Sequence, residues 1–186
     1  MMEKNKLGMI LFICSEVIFF SLLILAYLYF QQTAAANGGP TAANSLNPYA
    51  TSLVSLFLFA SSFTIWRAGK SLAHQHSGRF QFWLLATIGL GVLFLAGQGL
   101  EWRKLLINNT TVSSDLFGTT FFTLTGFHGL HVLVGLIALS ILFGIMRTSD
   151  FKGASSPGVE ALSLYWHFVD VVWVVIFSVI YLRLLL

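Results

Sequence analysis

The chain has 186 residues, of which 56% are hydrophobic and only 9% charged, and its mean hydropathy is +0.82. A soluble domain usually carries about 25% charged residues, so there is too little polar material here to cover a water-exposed surface, and lipid is the natural solvent. The net charge of +3 comes from basic residues scattered at run ends, which excludes a nucleic-acid reading, and the single cysteine, Cys14, excludes a disulfide framework or a Cys-based metal site.

Five apolar runs follow in chain order, at 7–30, 49–72, 80–102, 118–146 and 159–184. Each has roughly 20 residues or more, enough to cross about 30 Å of hydrocarbon as a helix. The first is preceded by Lys4 and Lys6 and followed by Thr33-Ala34-Ala35-Ala36, an arrangement that imitates a cleaved signal. A signal core is only about 7–15 residues long, whereas this run is longer and contains Glu16, so it is read as a retained span. The second run ends on Arg67 and Lys70, whose long stems can snorkel to the interface. The linkers carry turn chemistry: Asn37-Gly38-Gly39-Pro40, His76-Ser77-Gly78, Asn108-Asn109 and Ser155-Ser156-Pro157-Gly158. A β-barrel would show segments of about 10 residues alternating apolar and polar, and none does so. The sequence therefore predicts one all-α domain over residues 1–186, a bundle of five transmembrane helices without internal repeat.

Lysine and arginine set the expected orientation. Lys4, Lys6, Arg67, Lys70, Arg79, Arg147 and Lys152 fall on one side, against Arg103, Lys104 and Arg183 on the other. The N-terminus is thus expected inside and the C-terminus outside.

Ionisable groups within spans cost about 2.5–3.5 kcal/mol each at the helix centre on insertion scales and suggest a role. Glu16 lies in Ser15-Glu16-Val17-Ile18-Phe19-Phe20 on the first span. It reads either as a proton-exchanging or lipid-contacting carboxyl, or as a neutral acid bonded to another helix. The fourth span carries Gly126-Phe127-His128-Gly129-Leu130-His131. Residues three apart lie about 60° apart on a helix, so both imidazoles project from nearly one face, while Gly126, Gly129 and Gly135 leave room for a neighbouring helix. Two histidines on one face could be metal or haem ligands. No carboxylate or further histidine shares that turn, however, and structural histidines bridging helices fit better. The fifth span carries Tyr165-Trp166-His167-Phe168-Val169-Asp170-Val171-Val172-Trp173. His167 and Asp170 can pair at i,i+3, and Trp166, Asp170 and Trp173 form one stripe, either a proton-relay element or an interhelical hydrogen-bond hub. Gln98 and Glu101 mark the membrane boundary at the end of the third span.

Ser15-Glu16-Val17 with Phe19-Phe20, Gln98 with Glu101, Gly126 to Val132, and Tyr165 to Trp173 together resemble subunit III of cytochrome c and quinol oxidases, in the family's order and across nearly the whole chain. The resemblance implies an accessory subunit of a haem–copper oxidase of the aerobic respiratory chain, which reduces oxygen and translocates protons. Such a subunit has no catalytic residue, metal ligand or redox centre of its own; haem and copper belong to subunits I and II. It packs against subunit I, holds phospholipid and sustains proton uptake in a bacterial cell (inner) membrane. Glu16 falls on the family's buried, carbodiimide-reactive carboxyl. The long form of the family has seven helices; here the first two are missing from the pattern. An extended subunit I or another chain is expected to supply two equivalents. Two other readings stay open: an independent haem- or metal-binding membrane protein using His128, His131 and His167, and a proton carrier using Glu16 and Asp170.

Overall fold

The computed structural model describes residues 4–36, 46–107, 111, 116–148 and 157–182. Among them are five helices: α1 (Lys4–Ala36), α2 (Pro48–Ala73), α3 (Ser77–Ile107), α4 (Leu116–Thr148) and α5 (Pro157–Phe177), the last continuing into a π-helical turn, Ser178–Leu182. All five are long and apolar enough to cross a membrane, as the sequence predicts, and each reaches a few residues past its predicted run except at the end of the fifth. The linkers at 37–45, 108–110, 112–115 and 149–156 lie outside the described residues, and so does Arg183.

Local chemistry explains the ends that are described. Asn47 caps α2, its Oδ1 accepting from the Ala50 amide at 3.3 Å, with Pro48 occupying the first turn where no amide is needed. The α2–α3 turn falls one to two residues earlier than His76-Ser77-Gly78 suggests. The amide of Gln75 bonds back to the Leu72 carbonyl and that of His76 to the Ser71 carbonyl, both at 2.9 Å, while Gln75 takes a φ of 57°. This is the Schellman closure, with glutamine where glycine is usual. Ser77 is thereby free to open α3. The basic pair at the end of α2 turns onto aromatic faces: Lys70 Nζ lies 3.8 Å from the Trp66 ring centre and the Arg67 guanidinium 5.3 Å from that of Trp83.

The helices do not share the core equally. α2 and α3 form a tightly packed antiparallel hairpin, and α5 packs on α1, α2 and α4. Along α2 the inward positions Thr51, Ser55, Leu58, Ser61, Ile65, Ala68 and Leu72 recur every three to four residues, and most are small. Small residues let backbones approach where lipid gives no hydrophobic drive between helices. Of the α1 side chains described, only Phe20 and Tyr27 are buried; Leu11, Val17, Ile18, Leu22 and Leu25 face outward, as does Cys14. α1 is an outrigger leaning on α4 and α5.

Two glycines hold the centre open for one indole. A Cβ added at Gly91 of α3 would meet Leu136 at 2.8 Å and the Trp166 ring at 3.0 Å; one added at Gly135 of α4 would meet that ring at 2.9 Å. Trp166, fully buried, is slotted between the two backbones. Overpacking such a site costs about 1–3 kcal/mol. Gly135→Ala should therefore lower the thermal stability of the bundle, whereas Gly89→Ala, whose added carbon meets nothing within 4 Å, should leave the melting temperature of the purified protein unchanged.

Candidate functional site

The polar side chains that hydrocarbon should exclude are gathered on three seams between helices. Along the α2–α5 seam, the Trp166 indole donates to Ser61 Oγ and the Trp173 indole to Ser55 Oγ, each at 2.9 Å. Between these two, Ser62 Oγ bonds both Asp170 Oδ2 and, at 3.0 Å, His167 Nδ1. The predicted stripe of Trp166, Asp170 and Trp173 is thus a row of contacts to three serines of α2. His167 and Asp170 converge on Ser62, each bonded to its hydroxyl. These serines escaped the sequence reading, although the small residues at 51, 55, 61 and 62 share one helical face and signal a close-packed seam.

On the α1–α4 seam, Glu16 Oε2 lies 3.1 Å from His131 Nε2. His131 Nδ1 lies 2.7 Å from the Phe127 carbonyl, which can only accept, so Nδ1 carries a hydrogen. A neutral imidazole then presents a bare Nε2 lone pair to Glu16. Hence the contact holds one proton between carboxyl and ring: either the acid donates to Nε2, or an imidazolium donates to a carboxylate. Tyr165 of α5 donates to the His131 carbonyl at 2.8 Å and fastens all three helices. Glu16 thus bonds across to another helix.

The third seam lies toward the C-terminal end of α3. Glu101 accepts from Thr51 of α2 and from the Tyr181 hydroxyl of the π-helical turn, both at 2.7 Å, while Gln98 donates to the Thr125 carbonyl of α4 at 3.0 Å. Beyond marking a boundary, these residues turn inward and tie α3 to the other helices. The gap they sit beside is kept by Gly129, where an added Cβ would stand 3.6 Å from Gln98 Oε1, and by Gly126, where it would stand 3.3 Å from Trp102. All three glycines singled out on α4 thus face a neighbouring helix.

The expectation of two imidazoles sharing a face is corrected. His128 is fully buried, stacked on Trp173 with ring centres 4.8 Å apart and edge-on to Phe94, and neither ring nitrogen has a partner. His131, about 60° round the helix, reaches the α1 seam instead. That offset suffices because α4 is wedged between α1 on one flank and α3 with α5 on the other. Nor do Glu16, His128, His131, His167 and Asp170 make one cluster. His128, His131 and His167 meet three different sets of neighbours, and no group of three His, Cys, Asp or Glu among the described residues is placed to hold a metal. Glu16 and Asp170, the pair a proton carrier would need in line, lie on separate seams.

An indole–hydroxyl bond between membrane helices averages only about 0.6 kcal/mol, but a donor stranded in a dry core costs about 1–3 kcal/mol. The second term decides the outcome of a deletion. Ser61→Ala should destabilise the bundle by about 1–2 kcal/mol in a Trp166 background and by much less in Trp166→Phe, a coupling read from a double-mutant cycle of thermal unfolding.

A family model described as cytochrome c oxidase subunit III matches residues 1–183. A protein of Mycobacterium leprae named "Probable cytochrome c oxidase subunit 3" is 38% identical over 95% of this chain and 86% of its own length. Cytochrome c oxidase subunit 3 of Synechocystis is 38% identical over 97% of this chain and 76% of its own, and that of Dasypus novemcinctus is 40% identical over 95% and 68%. The matches run through all five helices and through every seam described above. The chain is a multi-pass membrane protein that belongs to the cytochrome c oxidase subunit III family.

Proposed function

We propose that this chain is a supporting subunit of a haem–copper terminal oxidase, working without a redox centre of its own while subunits I and II hold the haem and copper. It packs against subunit I in the bacterial cell (inner) membrane, its N-terminus inside. The family match supports membership of an oxidase complex. The observation that carries the supporting role is what its ionisable groups do. Glu16 is engaged by His131, Glu101 by Thr51 and Tyr181, and Asp170 and His167 by Ser62. Side chains engaged in fastening helices are suited to holding a shape against a partner, and less to ligating iron or copper.

The outward apolar faces fit the rest of this reading. α1 shows Leu11, Ile18, Leu22 and Leu25 at about three-fifths exposure, a surface suited to bound phospholipid and to the two extra helices of an extended subunit I or another chain. A resolved complex with nothing on this flank but bulk lipid would remove the extra-helix part of the proposal.

Deleting the chain should leave an oxidase whose haem spectrum and initial turnover match the intact enzyme, but whose activity decays sooner during sustained turnover. Loss of the haem spectrum in an otherwise assembled enzyme would overturn the assignment.

A further inference from the structure

The α2–α5 seam holds one arrangement that fastening alone does not require. Beside it, at the end where α2 finishes and α5 begins, lies a recess of about 550 Å³ lined by Trp66, Lys70, Glu160, Ser163, Leu164 and His167, among others. A water molecule takes up about 30 Å³ of liquid, so the recess is roomy enough for several. Lys70 and Glu160 line it from the last turn of α2 and the first of α5. His167 is its inner polar group, half-buried, and through Nδ1 it reaches Ser62, which in turn reaches the buried Asp170. Asp170 stands about 20 Å along the axis from Pro157, at a rise of about 1.5 Å per residue, close to the middle of the span.

We infer that Asp170 is a proton-storing carboxyl that exchanges with one face of the membrane through Ser62 and His167. The chain has two complete hydrogen-bond patterns. In one, the Asp170 carboxylate accepts from the Ser62 hydroxyl, whose oxygen accepts the hydrogen on His167 Nδ1. A proton taken up at His167 Nε2 from the recess lets the Nδ1 hydrogen pass to Ser62 Oγ and the serine's own hydrogen pass to Asp170 Oδ2. In the pattern that results, the carboxylic acid donates to Ser62 Oγ, the serine hydroxyl donates to Nδ1, and the imidazole is again neutral with its hydrogen on Nε2. Only O–H and N–H bonds are made and broken, and one proton is gained.

The path ends there. Asp170 is flanked on its helix by Trp166 and Trp173, whose indoles donate to Ser61 and Ser55. An indole N–H offers no lone pair to accept a proton, so neither can relay one onward. Asp170 Oδ1 has no partner. The arrangement is a half-channel with a closed floor: it can hold a proton in mid-membrane without leaking it across. On the expected orientation it opens to the inside, the face from which an oxidase draws its protons. In that setting the inference deepens, and rests on, the supporting role proposed above.

The test uses the assembled oxidase in lipid nanodiscs and infrared spectroscopy. Asp170→Asn should remove one carboxylic C=O band. Where that variant assembles poorly, Asp170→Glu identifies the same band by displacing it. On transfer to D2O the band should shift at least tenfold more slowly in Ser62→Ala and in His167→Phe than in the parent, and Ser62→Thr, which restores a hydroxyl, should recover the rate. Absence of any band attributable to Asp170, or parental exchange in Ser62→Ala and His167→Phe, overturns the proposal. Parental exchange with a shortened working life would leave the supporting role standing and remove the proton store. Slowed exchange with an unchanged working life would do the reverse.

Discussion

Hydrocarbon supplies no hydrogen-bond partners, so a polar side chain placed within it is costly unless another part of the protein answers it. The α2–α5 seam meets that demand. Ser55, Ser61 and Ser62 are small enough to let the two backbones close on each other, and each hydroxyl answers a polar group of α5. Larger polar residues would satisfy the indoles but hold the helices apart; alanine would let them close but strand the N–H groups. The remaining packing follows from that choice, because α5, clamped to α2, becomes the surface on which α1 and α4 are laid.

Trp166 shows how steric and polar requirements are joined in one residue. Its N–H is fixed by Ser61, which sets the direction of the ring, and the ring then needs space that only Gly91 and Gly135 provide. A side chain held at both ends cannot choose another rotamer, so the depth of α5 relative to α3 and α4 is fixed by it. His128 plays a related part lower in polarity: it stacks on Trp173 as a flat ring among aromatic neighbours.

Burial is unevenly distributed among the helices, and α1 is the least buried of the five spans. α1 nonetheless packs on α4 and α5 through Glu16 with His131, through Phe20 and Tyr27, and through the partly buried Met9, Ile13, Phe19, Leu23 and Ile24. That helix also carries extensive outward apolar surface. Glu16 sits on the α1–α4 seam, whereas Asp170 is enclosed on the α2–α5 seam. Two acids of similar chemistry thus have different surroundings, one half-buried and one buried.

The spans, their number and the ionisable residues within them were legible in the sequence, whereas the α2 serines that meet them were not. Twenty apolar residues in a row can satisfy their backbones in lipid only as a helix, and a charge inside such a run is conspicuous because it is costly. Pairing was not legible. The 60° between His128 and His131 looks like a shared face until the flanking helices are placed, and then it is the difference between a core ring and an α1 contact. Likewise the spacing of His167 and Asp170 permits a direct pair, yet Ser62, more than a hundred residues away in sequence, takes both. Local spacing fixes where side chains leave a helix; which helix receives them depends on packing between segments distant in the chain, and that information exists only in the assembled bundle.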